Sequence, residues 1–363
     1  MKRFVVGLAF LALGCSAGGS ADPAPQREPS TTALLVTRLG NDTLAVERVR
    51  RTADSVVATV VLRSPQTTLR TYRVALDDAG RPTSMRVEQL DPRTGAMTDA
   101  TDVSLAAGSG IPFIDMVHWP FELMVARIMA ASTDTLTIPL VAGERLVPFR
   151  MQRAGAGAFS ATHPTRGTMT LEADADARLT MLDAGQTTRA LRVTRAPDAD
   201  VLPLARAFAD RPMGELSGRG EVSINVAGAQ IDIDYGVPLK RGRDIFGALV
   251  PWERVWRTGA NRATHFSTTR ALRFGDDVLP AGRYTLFTIP RPDRWTLLVN
   301  TSVDINGQAY DADADLLHID LAVRQLDQVV EPFTIVVEPD GPSGGLLRLR
   351  WDRTEAWAPF VVE

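Results

Sequence analysis

The residues best able to do chemistry are concentrated in one stretch of the chain, residues 235–266, which reads YGVPLKRGRDIFGALVPWERVWRTGANRATHF. The residues of this stretch that we predict to bind a ligand are Arg243, Trp252, Trp256, Arg257, Asn261 and His265. Guanidinium and amide groups hold carboxylates, phosphates or sugar hydroxyls, and indole rings stack on sugars. The stretch is therefore the candidate site for a polar ligand. In the alternative, structural interpretation, the arginines pair with nearby carboxylates and the tryptophans fill the core.

Catalytic groups in the same stretch are few. Its carboxylates are Asp244 and Glu253, and with His265 they are the residues that a hydrolase would use as acid or base. The sequence has no G-x-S-x-G motif, and its GSG at 108–110 does not follow a strand in a βαβ unit. These observations favour a binding protein over an enzyme and predict no cofactor.

Metal binding is not predicted. The four histidines lie far apart in sequence, without H-x-H or H-E-x-x-H spacing. The acidic run at 311–315 resembles the start of a calcium loop, but Leu316 stands where such a loop needs glycine, and Ala322 where it needs glutamate. We interpret this run as a solvated acidic loop.

The elements that must position these groups are almost all β-strands. Residues 33–212 contain short segments in which apolar and polar residues alternate, separated by turn residues, as in an antiparallel meander. One segment, residues 113–132, instead has apolar residues at helical spacing. We predict a meander or half-barrel carrying one helix, since a long meander tends to curl and so protect its edges.

The second half, residues 217–363, is predicted to be a β-sandwich. Its strands are evenly spaced and show no βαβ alternation. Two of its strands are expected to form a hairpin around Ala227 and Gly228.

The N-terminus has the features of an export signal. Residues 1–15 combine Lys2 and Arg3 with an apolar run too short to span a bilayer, and they end at Cys15, the one cysteine of the chain. The run LALGC resembles a bacterial lipobox, which implies lipidation of Cys15. Residues 16–32 have the composition of a flexible tether. Because Ser16 replaces the aspartate of inner-membrane retention, the resemblance implies an outer-membrane anchor facing the periplasm, with exposure at the cell surface left open.

The net charge of the chain bears on which partners it can bind. The formal net charge of −3 gives no reason to expect nucleic acid, whose binding needs a basic excess. The expected partners are the membrane, through the lipid anchor, and a glycan or an envelope protein.

The second half also resembles a known family, the bacterial domain-of-unknown-function family 2911. The residues that carry the resemblance include Tyr235-Gly236, Lys240 to Arg243, Ile245 to Gly247, Leu249 to Pro251, Trp256 to Asn261, Leu279 to Gly282 and Leu286 to Pro290. The match departs from the usual pattern at Val237, Leu239, Trp252-Glu253 and Arg262, where relatives often carry other residues. Because Arg262 stands where glutamate is frequent, a general acid or base at that position would be missing here. The resemblance implies architecture and membership among lipoproteins, and no defined activity.

We therefore expect an envelope-anchored lipoprotein that acts as a binding or scaffolding module. One alternative is a hydrolase of envelope glycans or esters. The other is a carrier of an apolar ligand through the N-terminal half.

Overall fold

Two antiparallel sheets make up most of the protein in a computed structural model that describes residues 31–187 and 189–363. The predicted signal peptide, Cys15 and nearly all of the predicted tether lie outside these residues. The mainly-β fold class expected from the sequence is confirmed. No helix in the described ranges is long and apolar enough to cross a membrane.

The N-terminal sheet contains twelve strands, and all of its pairings are antiparallel. The strands are β1 Thr31–Leu39, β2 Asp42–Arg51, β3 Ser55–Leu62, β4 Thr68–Leu76, β5 Pro82–Leu90, β6 Met97–Val103, β7 Thr135–Ala142, β8 Arg145–Gly155, β9 Ala158–His163, β10 Gly167–Ala173, β11 Leu179–Asp183 and β12 Leu191–Ala196. Their order is β6-β5-β4-β3-β2-β1-β12-β11-β10-β9-β8-β7. Nearly every strand thus pairs with its neighbours in the chain, and β6 and β7 are the two edges. The predicted meander is confirmed as an open sheet.

The sheet curves around a single helix, α1 (Pro120–Ala130). Side chains from distant strands, such as Val74 in β4 and Phe149 in β8, belong to one hydrophobic core with Met124 and Ile128 of the helix. Met124 and Ile128 are fully buried. The concave face is therefore packed against the helix.

The helix is shorter than the predicted 113–132. Pro120 has no N–H to donate and suits the first helical position, so the helix starts there. The preceding segment runs beside the edge strand β7, where the Phe113 N–H donates to Val141 O at 2.7 Å. The buried Glu47 carboxylate accepts the N–H groups of His118 at 2.8 Å and Trp119 at 2.9 Å, which fixes the entry to the helix.

A second helix, α2 (Leu202–Ala209), follows β12. Its Ala205 and the preceding Val201 are buried against Leu34 and Val61 in a small cluster separate from the main core. This helix thus covers part of the other face of the sheet.

The C-terminal sheet contains nine strands. They are β13 Ser217–Val226, β14 Ala229–Pro238, β15 Thr264–Thr268, β16 Leu272–Phe274, β17 Asp277–Leu279, β18 Gly282–Pro290, β19 Arg294–Asn300, β20 Asp315–Pro339 and β21 Gly344–Val362. Their order is β13-β14-β15-β18-β19-β20-β21-β16-β17, with a short 3-10 helix at Ala312–Ala314 before β20. The predicted hairpin at Ala227 and Gly228 joins β13 to β14, and both residues have positive φ, 47° and 85°.

This sheet folds over to form the two layers of a sandwich. Ile231 and Ile233 on β14 share one core with Ile335 and Val337 at the far end of the long strand β20. The buried Tyr235 hydroxyl accepts the Ile335 N–H at 3.1 Å. The two layers are therefore parts of one continuous sheet, and β20 and β21 pass from one layer to the other.

The two sheets meet at the turn between β1 and β2. Gly40 has a φ of 59°, and a Cβ there would lie 1.8 Å from Arg241 O, so only glycine allows this approach. The Asn41 N–H donates to Arg241 O at 3.1 Å, and Arg241 pairs with Asp42 at 3.2 Å. A second contact lies nearby, where the Gln308 amide donates to Thr165 O at 2.6 Å.

Candidate functional site

The crossover between β14 and β15, residues 239–263, holds most of the predicted site. It is fixed to the neighbouring strand β18 by two backbone hydrogen bonds between Trp256 and Thr288, of 2.7 and 2.8 Å. The Trp256 indole N–H donates to Gly259 O at 3.1 Å, closing the turn that follows. The middle of the crossover is thus bonded to β18 at Trp256 as a paired strand residue would be.

The two predicted stacking residues contact other aromatic rings. Trp256 stacks on Trp351 at 5.9 Å with an interplanar angle of 16°, and its edge meets Phe333 at 4.9 Å. Trp252 stacks on Phe246 at 5.8 Å. Trp256 remains half-exposed and lines a cavity, whereas Trp252 is absent from the residues that line it. Stacking of a sugar on these rings stays a prediction.

This cavity, of about 510 Å³, lies between the two sheets. Its charged lining residues are Arg166, Arg189, Arg243, Arg257 and Arg262. Leu39, Arg166 and Arg189 come from the N-terminal sheet, and the crossover supplies most of the opposite wall. Among the described residues, no aspartate or glutamate lines it. We call this space the arginine cavity.

Arg243 and Arg257 are the partly buried cations of the arginine cavity that form no ion pair among the described residues, whereas Arg262 is exposed to solvent. Arg243 donates to two backbone carbonyls, Lys240 O at 3.1 Å and Leu239 O at 2.5 Å. Arg257 donates to Asn261 O at 3.0 Å. Within residues 31–187 and 189–363, neither guanidinium has a carboxylate oxygen within 4.0 Å. Both charges are thus partly removed from water without an anionic partner.

The pKa values of these two arginines record that burial. Burial, reinforced by the nearby charge of Arg241 and only partly offset by that of Glu331, lowers the pKa of Arg243 to about 10. Burial alone lowers the pKa of Arg257. Arg243 remains charged at neutral pH, because a pKa of about 10 lies well above 7. An anion between the two groups would restore the electrostatic compensation that water no longer supplies.

Arg166 and Arg189 reach the arginine cavity from the N-terminal sheet and share one acid. Asp115 accepts from Arg166 at 2.6 Å through one oxygen and from Arg189 at 2.6 Å through the other. Burial lowers the pKa of Arg189. One carboxylate cannot neutralise two guanidinium groups, so this wall also carries net positive charge.

The remaining predicted residues divide between this site and others. Asn261 lines the arginine cavity and adopts a φ of 63°, while its amide donates to Ser217 O at 3.4 Å. His265 lines a separate cavity of about 380 Å³ and accepts the Asp304 N–H at 3.1 Å. Burial, with a smaller contribution from Arg262, lowers the pKa of His265. Asp244 and Glu253 are exposed and absent from both linings.

The charged residues of the site that were not predicted from the sequence are Arg262 and three residues of the N-terminal half, Asp115, Arg166 and Arg189. Arg166 follows β9 and Arg189 follows β11, each in a hairpin turn. In an antiparallel meander, alternate turns lie at the same end of the sheet, and the β1–β2 turn lies at that end too. The alternation of turns could have predicted that these three turns lie at one end of the sheet. Only the packing in the structure shows that this end meets the C-terminal sheet.

No cluster of metal ligands accompanies the arginines. Across the part of the chain that the structure describes, no three His, Cys, Asp or Glu side chains are grouped as a metal ion requires.

Comparison with known proteins identifies the C-terminal half. Residues 217–360 match a family whose description is "Protein of unknown function (DUF2911)". This match confirms the resemblance seen in the crossover and its flanking strands. It includes Arg243, Arg257 and Arg262, whereas Arg166 and Arg189 lie outside it. No curated protein matches the chain.

Proposed function

We propose that this chain, whose residues 217–360 belong to the DUF2911 family, is a binding module for an anionic ligand. The ligand carries a phosphate or carboxylate group and binds in the arginine cavity. The observation that carries the proposal is the position of Arg243 and Arg257, which line one cavity, are partly buried and, among the described residues, donate side-chain hydrogen bonds to backbone carbonyls only.

Burial of a charged side chain has an energetic cost. A guanidinium taken out of water loses solvation, and carbonyl oxygens repay only part of that loss. An oxyanion supplies full opposite charge and two oxygens that match the fork of an arginine. Hydrogen bonds of this kind contribute about 1.5–3 kcal/mol each, so an anion that bridges both groups is held firmly.

The proposal is tested by titrating inorganic phosphate into the full-length chain in phosphatidylcholine nanodiscs and measuring the heat of binding. Arg243→Gln and Arg257→Gln each weaken binding by at least about tenfold, because each removes one charge-assisted contact worth about 1.4 kcal/mol or more. The matched control is Arg353→Gln. Arg353 also donates to backbone carbonyls, of Leu326 and Asp327, but it is exposed and absent from the lining of the arginine cavity.

Two results would overturn the proposal. The first is unchanged phosphate binding in both cavity variants while their thermal midpoints match the wild type. The second is an equal loss of binding in Arg353→Gln, since that would show a diffuse surface effect.

We also propose the cellular setting that the N-terminal sequence predicts. Cys15 is lipidated and residues 16–32 tether the protein to the outer membrane, facing the periplasm. The support is the lipobox-like run before Cys15 and Ser16 after it. Labelling of cells with a fatty-acid probe tests this: the wild type incorporates the label and Cys15→Ser does not. Equal labelling of the two proteins would refute the anchor.

A further inference from the structure

A second cavity, of about 560 Å³, adjoins the arginine cavity. The two spaces share a wall formed by Thr165, Leu249, Val250, Trp256, Arg257 and Gln308. Arg257 faces both spaces, so a group bound at its guanidinium is next to the second cavity. Each volume lies within the range typical of small-molecule sites, about 300–1,000 Å³.

The second cavity differs from the first in the chemistry of its walls. Outside the shared wall, most of its lining is apolar or aromatic, including Pro251, Val255, Phe287 and Tyr310. The Tyr310 ring meets the buried Phe287 ring edge to face at 4.9 Å, so a rigid core residue supports the aromatic face of Tyr310. Val255 is 40% exposed, so its side chain is accessible to a ligand. We call this space the apolar cavity.

The described residues that line the apolar cavity present no negative charge. Its charged lining residues in the described chain are Arg254 and Arg257. The Tyr310 hydroxyl donates to Asp315 at 2.5 Å, and burial together with this contact raises the pKa of Tyr310. The tyrosine therefore stays neutral, and its ring acts as an apolar wall.

We infer that the ligand is an anionic amphiphile, with a phosphate or carboxylate group bonded to an apolar or aromatic body. The anionic group binds between Arg243 and Arg257, and the body lies in the apolar cavity against Val255 and Tyr310. This inference rests on the proposed function and adds the class of ligand. Ligands that carry charge alone fill one cavity and leave the apolar surface exposed to water, so they bind less tightly.

The test compares two probes that share an anionic group. Inorganic phosphate and phenyl phosphate are titrated separately into the full-length chain in phosphatidylcholine nanodiscs, with empty nanodiscs as the blank. Phenyl phosphate binds at least about tenfold more tightly, because its ring leaves water for the apolar cavity. Phenol, which has the ring without the charge, shows no measurable binding at the same concentrations.

A pair of variants locates the ring. Val255→Asn removes apolar surface from the second cavity without adding charge, and it reduces the preference for phenyl phosphate about threefold while phosphate binding stays unchanged. The matched control is Val278→Asn, at a valine of nearly equal exposure, 42%, in β17. Val278→Asn keeps the full preference for phenyl phosphate over inorganic phosphate.

The outcomes separate the two proposals. If phosphate binds in the manner of the proposed function but phenyl phosphate binds no tighter, the amphiphile is refuted and the anion site stands. If phenyl phosphate is preferred but Val255→Asn and Val278→Asn behave alike, the ring does not bind in this cavity and the inference fails. If neither anion binds, both proposals fail together.

Discussion

At the scale of single residues, the electrostatic imbalance of the arginine cavity is the central feature. Five arginines line it, and within the described residues only Asp115 forms ion pairs with any of them. Exposed ion pairs elsewhere, such as Arg48 with Asp198 at 2.7 Å, contribute little to stability, because water screens them. Charges removed from water are screened less, so they attract an anion more strongly.

The buried His163 makes the stability of the folded protein depend on pH. His163 packs between Phe113 and Phe149, and its Nδ1 accepts the Thr165 N–H at 3.1 Å. Burial, with the nearby Arg166, lowers the pKa of His163 below its ordinary value of 6.5. The unfolded chain therefore binds a proton before the folded one does. The contribution of neutral His163 to the free energy of unfolding is complete above about pH 6.5. It is lost as the pH falls from there through the lower pKa that His163 has in the folded protein.

The measurement is the urea midpoint at pH 7.5 and at pH 5.5. The wild type unfolds at lower urea at pH 5.5, and His163→Gln shows a smaller difference between the two conditions. Glutamine can still accept from the Thr165 N–H and does not titrate, so equal differences in the two proteins would contradict this role for His163.

Sequence composition could predict part of the site at this scale. The density of arginine and asparagine in residues 235–266 indicated Arg243, Arg257 and Asn261, which line one cavity with Trp256. It also indicated His265, which lines another, and Trp252, whose ring stacks on Phe246. Residue type shows what a side chain can bind, whereas the path of the crossover decides which side chains meet.

At the scale of elements, the crossover is held close to β14 by a glycine. A Cβ on Gly236 would lie 1.9 Å from Ala260 O, a backbone atom that cannot move without displacing the turn at residues 258–261. Gly259, Ala260 and Asn261 of that turn line the arginine cavity. A side chain at position 236 would therefore displace residues that line the arginine cavity.

We predict that Gly236→Ala lowers the free energy of unfolding by about 1–3 kcal/mol, the usual cost of overpacking, and weakens phosphate binding at least threefold. The control is Gly218→Ala in the paired strand β13, where an added Cβ meets nothing within 4 Å. Urea denaturation and calorimetric titration of both variants provide the measurements. Equal free energies of unfolding and equal phosphate affinities in the two variants would show that the close approach of Ala260 to β14 affects neither stability nor the site.

Element types were predictable from sequence, and some boundaries were not. Alternation of apolar and polar residues identified the strands, because each strand has one buried and one exposed face. The predicted helix at 113–132 included residues that instead run along β7. Their apolar side chains pack against the core from this loop, as those of a helix also would, so spacing alone could not separate the loop from the helix. Pro120 was the one local signal for the true start.

At the scale of the whole molecule, the arginine cavity exists because the two sheets meet. Contacts of Gly40 and Asn41 with Arg241, and of Gln308 with Thr165, hold the sheets together beside it. These contacts join residues far apart in the chain, and no local pattern marks them. The sequence therefore predicted two β halves but could not predict that their junction forms the site.

The contribution of the N-terminal sheet can be measured through Asp115. Asp115→Asn removes the carboxylate that pairs with Arg166 and Arg189, while its amide oxygen can still accept one hydrogen bond. The positive potential of the cavity rises, so phosphate binds about threefold more tightly at low salt, and the gain shrinks as salt is added. Calorimetric titration at two salt concentrations tests this. Weaker binding in the variant would show that Asp115 is needed to position the two arginines.

The most direct test of the central claim is X-ray diffraction from crystals of the full-length chain soaked in tungstate, a heavy analogue of phosphate that gives an anomalous signal. If an anion binds as proposed, an anomalous peak appears in the arginine cavity, within hydrogen-bonding distance of both Arg243 and Arg257. Peaks confined to exposed arginines such as Arg353, with the cavity free of anomalous density at saturating tungstate, would contradict the proposal.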